Sequence, residues 1–201
     1  RRSLFMPVNR SVPDVAEKRK NWNGLISGFC ASDLVFLDES GCNTDMTRRY
    51  AYSFGGSRAV DSTPLSKPKN TTILSSIQLN GTLRYTTFSG GTTVERFKRY
   101  LETDLLPHLN GNSVLVMDNM KSHHAKAVKE LLDSSGVRYI YLPPYSPDLN
   151  PIEKLWSKVK ALLRKFKART LDALPNAIQN AFHSVTVSDC SGWFRFCGYA
   201  L

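Results

Sequence analysis

At 201 residues with 41% apolar content, the chain is long enough to bury a full core, as one domain or as one domain with appendages. Twenty-seven Lys and Arg against seventeen Asp and Glu leave a formal charge of +10, which favours a polyanionic partner, nucleic acid first, over an acidic small molecule. No apolar run approaches the roughly 18 residues that cross a bilayer, and the start RRSLFMPVNR lacks the apolar centre of a signal peptide. Cys30, Cys42, Cys190 and Cys197 form no CxxC pair, so neither a zinc knuckle nor a dense disulfide scaffold is expected. The expectation is a soluble cytoplasmic protein with reduced thiols, no membrane partner and no small-molecule cofactor. The chain opens on arginine rather than methionine, as a piece of something longer would.

Residues 1–30 are basic and weakly periodic; Pro13 and Asp14 can open a helix with Val15, Trp22 and Ile26 on one face. LVFLDESG, from Leu34, has the β-branched and aromatic content of a buried strand ending at a glycine. Residues 41–70 form a basic excursion rich in Gly, Ser, Thr and Pro, with a possible short strand at RRYAYSF. It suits contact with phosphates or with a second subunit, and equally a solvated loop. TTILSSIQLNGTLRYTTFSG reads as a hairpin about Asn80-Gly81. Thr92 with Glu95 has capping-box spacing, and Val94, Phe97, Leu101 and Leu105 then recur at helical intervals until Pro107. SVLVMDN is a further apolar run, HHAKAVKELLDSSG a helix closed by Gly136, and VRYIYL a strand. After the proline-rich LPPYSPDLNP, the residues Ile152, Leu155, Trp156, Val159, Leu162, Leu163 and Phe166 make a helical face. Thr170 can cap one more helix carrying Leu171, Leu174, Ile178 and Phe182, and the aromatic tail CSGWFRFCGYAL is suited to packing back on the body.

Two apolar strands end in acids, Asp38 and Asp118, and in sheets covered by helices such ends converge although distant in sequence. Glu153, opening the helix after the next strand, is a candidate third. Three convergent carboxylates repel one another unless a cation lies between them. Hard oxygen ligands suit magnesium or manganese, and a pair of such ions can activate a water or a 3′-hydroxyl for phosphodiester displacement. Each acid also has a plainer reading. Asp38 competes with Glu39, since alternation sends the two to opposite faces; Asp118 and Asn119 can form a turn. Glu153 sits at the third helical position behind Asn150 and Pro151, where a glutamate completes a capping box. On a helical wheel Glu153, Ser157, Lys160, Arg164 and Lys167 share one flank, and the stretch Lys154–Arg169 holds seven cations and no acid, a stripe on which a phosphate backbone could lie.

In their order, LVFLDESG, VLVMDNMKSHH and LPPYSPDLNPIEKLWSKVK resemble the catalytic domain of DDE transposases of the mariner superfamily, in its bacterial insertion-sequence branch. The resemblance runs from about Asp33 to the C-terminus, and the thirty-four residues between Asp118 and Glu153 match the spacing of that superfamily. It implies a metal-binding catalytic triad of Asp38, Asp118 and Glu153, with Asp38 chosen over Glu39, and Asn119 and His123 as companions beside it. It implies a ribonuclease H-like α/β fold: a central five-stranded mixed sheet, three strands antiparallel and two parallel, with helices on both faces. The implied activity is Mg²⁺- or Mn²⁺-dependent cleavage of DNA at transposon ends, with two ions, and transfer of the 3′-hydroxyl end into target DNA at TA, by a homodimer. The alternatives are a ribonuclease H-like nuclease without strand transfer and a domesticated DNA-binding module without turnover. Arg48, Arg49, Lys67, Lys69, Lys121, Lys160, Arg164 and Lys167 are the cations expected to meet DNA. The expected division is a basic linker or helix over 1–30 and a catalytic domain over 31–201, with 41–70 as a loop insertion and 170–201 as a C-terminal helix and tail. The paired helix-turn-helix modules of such transposases do not fit in residues 1–30, so a catalytic fragment or a truncated copy is expected. The setting is bacterial, the cytoplasm or the nucleoid when on DNA.

Overall fold

A computed structural model describes residues 13–48, 50, 52–62 and 68–199. Its elements run α1 (Pro13–Ile26), β1 (Leu34–Cys42), β2 (Thr71–Gln78), β3 (Leu83–Ser89), α2 (Val94–Tyr100), β4 (Val114–Met117), α3 (Lys126–Ser135), β5 (Arg138–Tyr141), α4 (Ile152–Phe166), α5 (Ala173–His183) and α6 (Val187–Phe196). The five strands form one sheet in the order β3-β2-β1-β4-β5, with β1, β2 and β3 antiparallel and β1, β4 and β5 parallel. This is the mixed sheet expected from the resemblance.

Period-two alternation along the central strands divides the apolar side chains between two layers. Leu34, Phe36, Val114 and Val116 face one core with Trp22 of α1 and the apolar faces of α4, α5 and α6. Val35, Leu37, Leu115 and Met117 face the other, with Phe97, Tyr100 and Leu101 and with Val128 and Leu132 of α3. Phe36 is fully buried and meets Phe194 edge-on at 5.3 Å and Tyr199 at 5.0 Å, so the aromatic tail packs back as expected. Each such pair adds about 0.5–1.5 kcal/mol beyond its buried area. Trp22, 3% exposed, packs α1 into the same core.

Several expectations shift in detail. The helix cap after the hairpin is Thr93, which accepts from the Arg96 N–H, rather than Thr92. The amphipathic run then changes at Leu101–Leu105 to a π-turn and at Leu106–His108 to a 3₁₀ turn that includes Pro107. Phe97, Leu101 and Leu105 are spaced by four, which on an α-helix drifts about 40° per step, and the wider π-turn keeps the last two facing the sheet. RRYAYSF is not a strand among its described residues; Tyr50, Tyr52 and Phe54 are exposed and pair with no sheet edge. Leu171 is exposed and lies ahead of α5, where the Thr170 hydroxyl accepts from the Ala173 N–H. Phe166, at the end of the α4 face, is 40% exposed because the helix there runs past the core. The hairpin turns at Gly81, φ 86°, where a Cβ would also press on Val187 at 3.0 Å.

Candidate active site

β1 is nine residues long and β4 only four, and the difference builds the site. Their parallel ladder ends at Leu37↔Met117, while β1 continues against β2 alone, with Asp38 opposite Ser75. Asp38 therefore lies within its strand rather than closing it. It stands beside the chain leaving β4 at Asp118, and by alternation both acids follow Phe36 and Val116 toward the α4 side. The connection from β5 then brings α4 over them. Leu142 N–H bonds to the Met117 carbonyl at 2.8 Å, the chain turns at Tyr145 with φ 54°, and Pro147–Leu149 form a 3₁₀ turn before α4. Asp38, Asp118 and Glu153 line one cavity of about 420 Å³, walled by Leu142, Pro143, Pro144 and Tyr145 and floored by Asn150.

The capping box expected of Asn150 and Glu153 does not form. Pro151 occupies the cap position, and the Glu153 N–H bonds to the Asn150 carbonyl at 3.1 Å. The Asn150 Oδ1 is buried without a partner. Glu153 is thus placed by the turn and is not consumed in capping it.

The three acids differ in electrostatics. Burial drives Asp38 from 3.8 up to about 7, and the charges of Asp118 and Glu39 add to this. Hydrogen bonds from the Glu39 backbone and from Trp156, whose Nε1–H donates to Oδ2 at 3.0 Å, act against it. Burial would also raise Asp118, but it is held below the usual range by His123, by the Met120 N–H at 2.9 Å and by the charge of His124. Glu153 is raised by burial and by the charge of Asp118, against the pull of Lys160 and Lys154. Burial would push His123 down; bonds to Asp118 and Glu39, with their charges, outweigh it and bring the ring to about 10.

This donor set suits a hard divalent cation: an ionised Asp118 whose charge raises both Asp38 and Glu153, and an unpartnered amide oxygen on the same cavity wall. As placed, the side chains line the cleft without closing on one point; among the described residues no three His, Cys, Asp or Glu form a ready metal cluster.

Both predicted companions are here. Asn119 donates from Nδ2 to the Leu142 carbonyl and meets His124 Nε2 at 3.2 Å, so it ties the β4 exit to the proline-rich wall. His123 is fully buried against Asp118. Trp156 has the spacing of a core residue and is one; its place one turn after Glu153 is the sequence signal for its second role at Asp38. Glu39, the rival of Asp38 in the sequence, faces the opposite layer, as alternation implies.

The expected DNA contacts scatter more widely. Lys160 and Arg164 line a second, polar cleft of about 490 Å³ with Asn43, Thr47 and Asn70. Lys167 pairs with Asp61 at 2.7 Å, and Arg169 holds the carbonyls of Thr44, Met46 and Ser62, so the end of α4 fastens the basic loop. Arg48, Lys69 and Lys121 are exposed, and Arg49 and Lys67 lie outside the described residues.

The sequence profile of the DDE superfamily endonucleases matches residues 33–175, more than two thirds of the chain and all three acids. The chain belongs to the DDE endonuclease superfamily. Similar members include the transposable element Tc1 transposase of Caenorhabditis elegans, 29% identical over 97 residues, which cover 46% of this chain and 36% of that protein. The Tcb2 transposase of Caenorhabditis briggsae is 32% identical over 75 residues, 37% of this chain and 28% of the relative. The DDE fold is also that of solved structures. A pre-cleavage Mos1 transpososome superposes with a TM-score of 0.77 at 20% identity, over 96% of this chain and 64% of that one. The catalytic domain of Mos1 mariner transposase gives 0.70 at 15% identity, over 94% and 89%. This DDE endonuclease chain thus spans about a third of the transposases it matches in sequence and nearly the whole of a solved catalytic domain.

No helix among the described residues is long and apolar enough to cross a membrane.

Proposed function

We propose that this chain is the catalytic domain of a DDE transposase, cleaving DNA at transposon ends and transferring the 3′-hydroxyl end into target DNA at TA. The observation that carries the reading is the convergence of Asp38, Asp118 and Glu153 from three separate elements on one cleft, in a chain of charge +10. The three carboxylates would hold divalent magnesium or manganese, two ions in all. Solved Mos1 complexes with Mn and with Mg support that choice of metal. When bound, such ions polarise the phosphodiester and make a water or a 3′-hydroxyl nucleophilic near neutral pH.

The chain's own groups prepare the site for this. Asp38, raised to about 7, gives up its proton readily when a cation approaches, while the Trp156 N–H holds its Oδ2 in place. Asp118, held ionised by His123, is ready without that step. Lys160 and Arg164 line a cleft of their own, where a phosphate backbone could pass along α4. Lys121, beyond Asp118, and Arg48 and Lys69 in the basic loop would add to the path.

The same proposal includes a homodimer, which the Mos1 transpososome and paired-end complex support, and an insertion-sequence element in a bacterial cytoplasm or nucleoid, supported by the LPPYSPDLNPIE block. The catalytic unit would begin with α1 rather than at residue 31, because Trp22 belongs to the core.

The test is nicking and joining of transposon-end DNA in Mg²⁺ or Mn²⁺, with terminal-repeat recognition modules supplied. Joined products are expected. Hydrolysis products alone would turn the reading to a simple nuclease, and DNA binding without either product to a module that has lost turnover.

A further inference from the structure

Glu39 follows Asp38 on β1, and alternation carries its side chain through to the other layer of the sheet, where it is 7% exposed. There its Oε1 meets His123 Nε2 at 3.2 Å, and the opposite ring nitrogen, Nδ1, meets Asp118 Oδ1 at 2.9 Å. The imidazole is fully buried, stacks on Phe97 at 4.3 Å, and has its backbone carbonyl held by the Tyr141 hydroxyl at 3.1 Å. His123 therefore passes between the layers, with one carboxylate at each end.

We propose that Glu39 is a positioning residue for the cleft, acting through His123 to fix the orientation of the Asp118 carboxylate. A histidine held at one nitrogen can flip its ring or exchange tautomers, and the carboxylate it touches then turns with it. With a carboxylate oxygen at each nitrogen, and the Asp118 carbonyl 3.3 Å from Nδ1 as well, the ring is held at both ends, and a flip would break these contacts and the Phe97 stack. Asp118 Oδ1 is then always the oxygen engaged from behind, by His123 and by the Met120 N–H.

A purely structural origin fits Glu39 poorly. A buried carboxylate costs several kcal/mol unless well paired, and the Oε2 of Glu39 is buried with no hydrogen-bond partner. An apolar residue would suit that layer, among Leu37, Leu74 and Phe97, better. A group retained against that cost is explained by what it does for Asp118.

The inference rests on Asp118 holding a divalent ion, as proposed above. Calorimetric Mn²⁺ titration of the full chain, with Glu39→Gln, His123→Asn and the double variant, tests it. Glu39→Gln keeps shape and an acceptor but removes the charge, and about a tenfold or larger loss of Mn²⁺ affinity is expected, as for other outer partners of metal ligands. In the His123→Asn background the same change should have no further effect, because the path from Glu39 to Asp118 is already cut. Unchanged affinity in Glu39→Gln, or an equal loss in both backgrounds, overturns the proposal. A second readout needs no variant to bind metal: side-chain ¹⁵N spectra of the His123 ring and ¹³C spectra of the Asp118 carboxyl should both change in Glu39→Gln. Asp118 carboxyl signals indifferent to Glu39→Gln overturn it as well. A wild type whose Mn²⁺ binding is absent, or indifferent to Asp118→Asn, would instead strike the functional reading, leaving the carboxyl spectra to decide the role of Glu39.

Discussion

Replacing Asp38 by asparagine should stabilise the metal-free protein while destroying its site. Burial lifts the Asp38 carboxyl from 3.8 to about 7. Between those values the native state keeps a proton that the unfolded chain has released, so stability falls as pH rises through the window, and what Asp38 contributes below 3.8 is gone above 7. A shift of that size, at 1.36 kcal/mol per unit, corresponds to about 4 kcal/mol as an upper bound. Asparagine keeps an acceptor for the Trp156 N–H and carries no charge, so Asp38→Asn should gain about 1–3 kcal/mol at pH 8, or about 3–9 °C in Tm. At pH 5 the native carboxyl is neutral but the unfolded one is still ionised, so the gap should shrink to under half its size at pH 8 and close only below 3.8. His123 adds a slope of the same sign between 6.5 and about 10, but it is common to both proteins and cancels in the difference. Saturating Mn²⁺ should reverse the order, because only the wild type gains binding energy on folding. Thermal unfolding from pH 5 to 8, in chelator and in Mn²⁺, reads all of this. A variant less stable than wild type at pH 8 in chelator, or a gap equal at pH 5 and pH 8, would refute the reasoning.

Glu153→Gln should leave stability within about 0.5 kcal/mol of wild type, since no capping box depends on the carboxylate, and should bring cleavage of end DNA below detection; full activity would remove Glu153 from the triad. Trp156→Phe keeps the ring in the core but leaves the Asp38 Oδ2 without its donor, so it should cost about 1–3 kcal/mol and push the Asp38 pKa above about 7, read by carboxyl NMR titration. Arg19 reaches from α1 to Asp148 at 2.7 and 3.2 Å and to the Ser146 hydroxyl, fastening the turn ahead of α4. Arg19→Ala should cost only about 0.5–1 kcal/mol because Asp148 is partly solvated, yet it should speed amide exchange at Leu149 and Asn150. Arg19→Lys should not restore protection, since an ammonium cannot reproduce the forked contact.

Much of this molecule was readable from local pattern. Alternation marks β1 and the hairpin, the apolar face of α4 runs almost as its spacing implies, and Gly136, at φ 71°, ends α3 where a left-handed residue is needed. Local pattern marked the three acids only as candidates, and the resemblance chose Asp38 over Glu39 and Glu153 as a ligand rather than a cap; Asp38 in fact lies within its strand, not at its end. What local pattern could not decide was which groups share a side of the sheet. A capping box was a sound inference from Asn150 and Glu153, but Pro151 took the cap position and left the glutamate to the cleft. Trp156 looked like one more core residue until the sheet set Asp38 within 3.0 Å of its Nε1. Glu39 and Asp38, adjacent in the chain, are parted by the pleat, and Glu39 finds His123 only because β1 and β4 are neighbours in register. Sequence by itself determined the elements and the chemistry they carry, since propensity and periodicity act over a few residues. Which charges are buried, which are paired and which face the cleft was decided by the tertiary structure alone, since burial and Coulomb interaction depend on distance in space.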